Sequence, residues 1–119
     1  MYKNFKEMPI WQNAMEVAER IFLLTEKLPR KEDYGFTSQI RRSAVSISAN
    51  IAEAFGRQHN KDKINFYCFS RGSIAETMSH LEYGYRVNYL SQEEVSDINK
   101  KLEMLNNNIN KVIKTLRNR

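Results

Sequence analysis

Apolar residues recur along the chain at helical spacing, and no segment sustains the strict alternation that would mark a strand. From Pro9 onward, Ala14, Val17, Ile21, Leu24 and Leu28 step by three and four, with Trp11, Ala18 and Phe22 widening the stripe. Proline suits a first helical turn, where its missing N–H would have no partner anyway. The pattern predicts a helix over about residues 9–28, stopped by Pro29. Asp33, in the polar run Arg30-Lys31-Glu32-Asp33, is placed to cap a second helix expected over about 36–55. The seam of that helix is Ile40, Ala44, Ile47, Ile51 and Ala54, flanked by Val45 and Ala52. Ser43, Ser46, Ser48 and Ala49 lie between, so small side chains line the helix and let neighbours come close. Gly56, free to adopt positive φ, is the expected stop.

A third helix is predicted over about 61–89, starting near Asn60, from Phe66, Phe69, Ile74, Met78, Leu81, Tyr85 and Tyr89, with Cys68 and Ala75 beside them. Gly72 and Gly84 lie inside it. Each costs about 1 kcal/mol relative to alanine, so each is expected to mark a close contact or a bend. The fourth helix, over about 92–117, opens on Ser91-Gln92-Glu93-Glu94, the spacing of a capping box. Val95, Ile98, Leu102, Leu105, Ile109, Val112 and Leu116 then alternate steps of three and four, a seam that packs against neighbours at about 20°. Short connections of about four to seven residues favour up-down-up-down packing. The expected fold is all-α, an antiparallel up-down-up-down four-helix bundle occupying residues 1–119 as one domain. The last seam would also serve a coiled coil between chains, but three other amphipathic helices in the same chain favour the bundle.

Composition supports one core and no membrane partner. Of 119 residues, 41% are apolar and 28% charged, enough for a packed interior and a wet exterior. Uncharged stretches such as 43–52 run only ten residues, against about 20 for a bilayer span. No apolar h-region follows Met1-Tyr2-Lys3-Asn4-Phe5-Lys6-Glu7, and the lone Cys68 cannot form an internal disulfide. A reducing, cytoplasmic setting is expected.

Net charge is +5 and uneven. Residues 111–119 hold Lys111, Lys114, Arg117 and Arg119 with no acid, and residues 41–63 hold Arg41, Arg42, Arg57, Lys61 and Lys63 against Glu53 and Asp62. Such clusters attract phosphate backbones, but cations in a last helical turn also simply offset the helix dipole. Two readings of the internal charges stand side by side. Arg41, Arg42, Arg57 and Arg71, with Lys61 and Lys63, form a patch that receives nucleic-acid phosphates, with Tyr67, Tyr83 and Tyr85 as stacking surfaces for unpaired bases. Alternatively, arginines pair with Glu53 and Glu76 in a polar network that fixes register between the second and third helices, or between subunits.

No constellation for catalysis emerges, and no cofactor is implied. His80 follows Glu76 by four, but Thr77 stands where a Glu-x-x-His metal motif needs its carboxylate. Phe55-Gly56-Arg57 has a single glycine and is no phosphate loop.

Longer motifs carry a resemblance. Phe5 and Trp11, then the run Tyr34-Gly35-Phe36-Thr37-Ser38-Gln39-Ile40-Arg41-Arg42-Ser43-Ala44-Val45-Ser46-Ile47, then Ala49-Asn50-Ile51-Ala52-Glu53-Ala54-Phe55-Gly56-Arg57, resemble the 23S rRNA intervening-sequence proteins. Phe66-Tyr67, Phe69-Ser70-Arg71-Gly72-Ser73-Ile74-Ala75-Glu76 extend the likeness over nearly the whole chain. The resemblance implies an antiparallel four-helix bundle that assembles as a ring-like homopentamer and has no established enzymatic activity. Some members are encoded within insertions in ribosomal RNA genes, and the family also carries the S23 ribosomal protein label. A related protein is the basic, pentameric accessory protein of diversity-generating retroelements, which associates with reverse transcriptase and RNA. Ser48 stands where family members commonly have proline, and Ala54 where they commonly have glycine; both changes favour a straighter second helix.

The function expected from charge and resemblance together is that of a non-enzymatic, homo-oligomeric basic bundle binding structured RNA or other nucleic acid through its phosphates. The alternative is a scaffold or adaptor whose main partner is another protein, such as a reverse transcriptase, contacted through Trp11, Tyr67, Tyr83 or Tyr85, or a structural oligomer.

Overall fold

Four helices carry the chain: α1 (Pro9–Thr25), α2 (Phe36–Gly56), α3 (Asn60–Arg86) and α4 (Gln92–Arg117). The computed structural model describes residues 1–119. Each helix packs on the one before it, α4 closes against α1, and the diagonal pairs do not meet. The result is an antiparallel up-down-up-down bundle, a rod of 47 × 22 × 20 Å. No helix is long and apolar enough to cross a membrane.

The interior is aliphatic. Ile21, Ile40, Ile47, Ile51, Ile74, Leu81, Leu102, Leu105 and Ile109 are fully enclosed, as the three–four spacing demands of residues sharing one helical stripe. Near the end of α4 the seam slips by one position: Ile113 is 2% exposed, and the expected Val112 is only half-buried. A straight helix of 3.6 residues per turn drifts against a repeat of 3.5, so the buried stripe moves after several turns.

Register between α2 and α3 is carried by hydroxyl groups, where the sequence suggested paired charges. The Ser70 hydroxyl donates to the Ile47 carbonyl (2.9 Å), Thr77 Oγ1 lies 2.9 Å from Ser43 Oγ, and Ser46 and Ser73 share a hydrogen bond. Of the small residues noted in the second helix, Ser43 and Ser46 are thus partners of Thr77 and Ser73, while Ser48 bonds back to the Val45 carbonyl of its own helix. The Glu53–Arg57 pair expected from their spacing of four forms within α2, and Glu76 pairs with His80 within α3, both at 3.3 Å, so neither carboxylate links α2 to α3 within the chain. Each lies four residues from its partner and on the outer surface, too far round the helix to reach across.

Several ends differ from the sequence expectation. α1 stops at Thr25 rather than 28, because the chain tightens there (Leu28 N–H to Thr25 O, 3.2 Å) and carries Leu28 back onto the core. α3 stops at Arg86 rather than 89. Asn88 takes φ of 67°, and the Tyr89 and Leu90 amides both turn back to the Gly84 carbonyl, at 2.8 and 3.1 Å. Gly56 needs no positive φ; it is the last residue of α2. Asp33 does not cap α2; Glu32, four residues before Phe36, accepts from the Phe36 amide at 3.3 Å. The capping box forms as expected, with Glu94 N–H to Ser91 Oγ at 3.1 Å and Ser91 N–H to Glu94 Oε1 at 2.8 Å.

Candidate nucleic-acid interface

The bundle does not gather the six expected basic residues into one patch. Arg41 faces α1, where its Nε donates to Thr25 Oγ1 (2.8 Å), its Nη2 to the Phe22 carbonyl (3.2 Å), and its guanidinium lies 4.4 Å over the Phe22 ring. It pins the end of α1 to α2. Arg42 is exposed and unpaired on the outer face of α2. Arg71 lies on the opposite flank, donating to Asn110 Oδ1 of α4 at 2.9 Å and to Cys68 Sγ at 3.2 Å. Lys63 is committed to structure: its ammonium caps α2 by donating to the Ala54 and Phe55 carbonyls at 3.1 and 3.2 Å. Arg57 pairs with Glu53 and lies 4.5 Å over the Phe66 ring.

What the fold does bring together is the α2–α3 turn and the last turns of α4. The Asn60 side-chain amide donates to the Leu116 carbonyl at 3.4 Å, so the start of α3 meets the end of α4. Two basic clusters distant in sequence therefore share one end of the rod. Lys61, Lys111, Lys114, Arg117 and Arg119 are all exposed there, and none belongs to an ion pair. Elsewhere paired and unpaired cations mix: Lys27 meets Glu94 (2.7 Å), Arg86 meets Glu82 (2.8 Å) and Lys101 meets Glu16 (3.0 Å), while Arg20, Arg30, Lys31 and Lys100 join no ion pair. Carboxylates collect towards the other end, with Glu82 and Glu103 in the α3–α4 groove and Glu93, Glu94 and Asp97 at the start of α4.

Lys111, Lys114, Arg117 and Arg119 were visible in the sequence as a charge run, but nothing in it paired that run with Lys61. The asparagines of α4 gave no such signal beyond spacing. Asn107, Asn110, Lys114 and Arg117 fall at intervals of three, four and three, a polar stripe beside the apolar seam.

The expected aromatic platforms also divide. Tyr67 is buried at 3% exposure, and desolvation raises the pKa of its phenol, so it is core and offers no stacking face. Tyr83 and Tyr85 are exposed, at the far end from the cations. Phe69, expected inside, is 57% exposed. On the α1–α2 side Phe22, Leu23 and Val45 stand in the open and line a shallow apolar groove with Met15 and Ala18. With Ala49 exposed between Val45 and Glu53, the outer face of α2 has no charge over ten positions. No three His, Cys, Asp or Glu side chains come together as a set able to hold a metal ion.

Fold and surface together define a basic, antiparallel four-helix bundle with an acid-free cluster of cations, Lys111, Lys114, Arg117 and Arg119, at one end. The family model of the 23S rRNA-intervening sequence protein matches residues 6–111, and the chain belongs to that family. It is similar to a crystal structure of a protein with unknown function from the S23 ribosomal protein family of Bacteroides thetaiotaomicron VPI-5482, with 29% identity and a TM-score of 0.79. That likeness covers 88% of this chain and 98% of the other. Among curated proteins none matches the sequence.

Proposed function

We propose that the protein is a non-enzymatic, homo-oligomeric bundle that binds structured RNA, or other nucleic acid, through backbone phosphates. The observation that carries the reading is the group Lys61, Lys111, Lys114, Arg117 and Arg119, exposed at one end of the rod and free of ion pairs. Surface cations left unpaired and adjacent repel one another, and a polyanion relieves that repulsion while releasing its own counterions. Membership of a family named for a ribosomal RNA insertion agrees with such a ligand. Assembly is supported by the uncharged outer face of α2 and by the exposed Phe22, Leu23 and Val45, an apolar surface of the kind that marks contacts. Several copies would repeat a weak phosphate site and raise the overall affinity without any new contact.

The test is retention of a labelled ribosomal RNA fragment by the purified protein across a salt series, with mass measured by light scattering. Binding that weakens steeply with salt and tolerates changes of base sequence is expected. A protein that retains no RNA or DNA at low salt, whatever its mass, would sink the proposal.

A second reading rests on the same apolar face: it suits a protein partner as well as a second copy, making the bundle an adaptor. Under that reading, Val45→Lys abolishes partner capture, while neutralising the cationic end leaves it intact.

A further inference from the structure

Resting on the RNA reading above, we propose that the groove between α3 and α4 at the cationic end seats an unpaired RNA strand. Two stripes with the same spacing face this groove. On α3 the stripe is Lys61, Ile64, Cys68 and Arg71; on α4 it is Asn107, Asn110, Lys114 and Arg117. Both follow steps of three, four and three, so each stays on one side of its helix. The antiparallel helices are fixed face to face at two levels, Arg71 with Asn110 (2.9 Å) and Asn60 with Leu116 (3.4 Å), which brings the stripes to opposite walls.

Arg71 gives the groove its chemistry. It is half-buried, and its two hydrogen-bond partners, the Asn110 amide oxygen and the Cys68 sulfur, are both uncharged. They orient the guanidinium without neutralising it. Lys61, Lys114 and Arg117 add charge nearer the end of the rod, also unpaired. Ten residues of helix span about 15 Å, room for a few nucleotides.

The groove also has a direction. Beyond Arg71 its lining passes to Ile74, Met78, Asn106 and Asn107, and then meets Glu103; further along lie Lys100 and Glu82, the latter paired with Arg86 at 2.8 Å. A phosphate chain enters among cations, runs past amides able to hydrogen-bond base edges or sugar hydroxyls, and halts where the unpaired Glu103 carboxylate repels it. Neighbouring helices lie about 8–10 Å apart, so the groove between them takes one strand, whereas a duplex would ride on the outer ridges. The ligand is therefore a loop or single-stranded end of a folded RNA.

The experiment uses the intact protein and three fluorescent RNAs of mixed sequence, a single strand, a hairpin with an unpaired tail and a blunt duplex, read by anisotropy. The wild type is expected to bind the first two more tightly than the duplex. Lys114→Gln with Arg117→Gln, and separately Arg71→Gln, should weaken binding about tenfold. Each lost cation should lower the salt slope by about 0.7. Arg20→Gln with Arg30→Gln, exposed cations elsewhere, should stay within twofold of wild type, and Glu103→Gln should tighten binding. Circular dichroism and mass confirm that each variant is intact. If the wild type binds RNA and the groove variants bind equally well, the groove assignment falls while the RNA reading stands. Tighter binding of the blunt duplex, or displacement of RNA by polyglutamate at equal charge, also overturns it. If the wild type binds none of the three, the reading itself fails.

Discussion

The Tyr89 hydroxyl donates to Glu32 Oε2 at 2.7 Å, while Oε1 of the same carboxylate accepts from the Phe36 amide at 3.3 Å. One side chain thus ties the segment after α3 to the start of α2. The Tyr89 bond, followed by the Phe36 amide, lowers the Glu32 pKa; the same bond, helped by desolvation, raises the Tyr89 pKa. The signs define a window. A lowered carboxylate contributes stability above its unfolded value near 4.5, lost as pH falls through the folded one. A raised phenol contributes stability below its unfolded value of 10, lost as pH rises through the folded one. Tyr89→Phe should lower the melting temperature within that window and have little effect outside it, as thermal melts across the pH range would show.

Two glycines of α3 should respond to alanine in opposite ways. A Cβ on Gly84 would lie 2.8 Å from Leu90 Cδ1 and 2.9 Å from Phe36 Cζ, whereas one on Gly72 would meet nothing within 4 Å. Gly84→Ala is expected to destabilise by about 1–3 kcal/mol through overpacking, outweighing the gain in helix propensity. Gly72→Ala keeps that gain, about 1 kcal/mol. Urea denaturation of the two variants would separate them; a loss at Gly72 would contradict the open surface described for it.

Buried hydroxyls provide a second opposed pair. Thr77 is fully enclosed and lies against Ser43 Oγ and the Ser73 carbonyl, while the buried Thr37 Oγ1 has no partner. Thr77→Val should cost about 1 kcal/mol, since it removes a buried hydrogen bond accepted by Ser43 Oγ, whose own hydroxyl still donates to the Ile40 carbonyl at 3.1 Å. Thr37→Val removes an unsatisfied polar atom and should be neutral or stabilising by about 1 kcal/mol. The midpoints of chemical denaturation give both signs directly.

The proposed assembly is tested on α2. Val45 is 53% exposed, so a charge there disturbs the isolated chain by no more than about 0.5 kcal/mol. Val45→Lys should therefore keep helical circular dichroism while the mass by light scattering falls to the 14.1 kDa of one chain. A wild type already at that mass would remove the homo-oligomer from the proposed function.

Helix identity was legible because scarce Gly and Pro left long periodic runs, and in α4 even the capping box was spelled out by Ser91 and Glu94. The ends were harder. Asn88 terminates α3 through positive φ without the usual glycine, and Thr25 ends α1 so that Leu28 can reach the core. Which polar residues act together was least legible, because it depends on what antiparallel packing places side by side. Lys61 and Arg117 are far apart in sequence yet near one another in the bundle. Arg41 and Arg42 are sequence neighbours that face different surroundings, one folded against Phe22 and the other in solvent.

The acid-free cluster of Lys111, Lys114, Arg117 and Arg119 at one end of a rod 47 Å long, with Glu93, Glu94 and Asp97 towards the other, makes the molecule an electric lever. In the field of a polyanion such a body feels a torque before it feels contact, and it turns its cationic tip forward during the approach. Most collisions then begin in the right orientation. Association should be fast at low ionic strength and slow sharply once the Debye length, about 10 Å at 0.1 M salt, becomes shorter than the arm through which that torque acts.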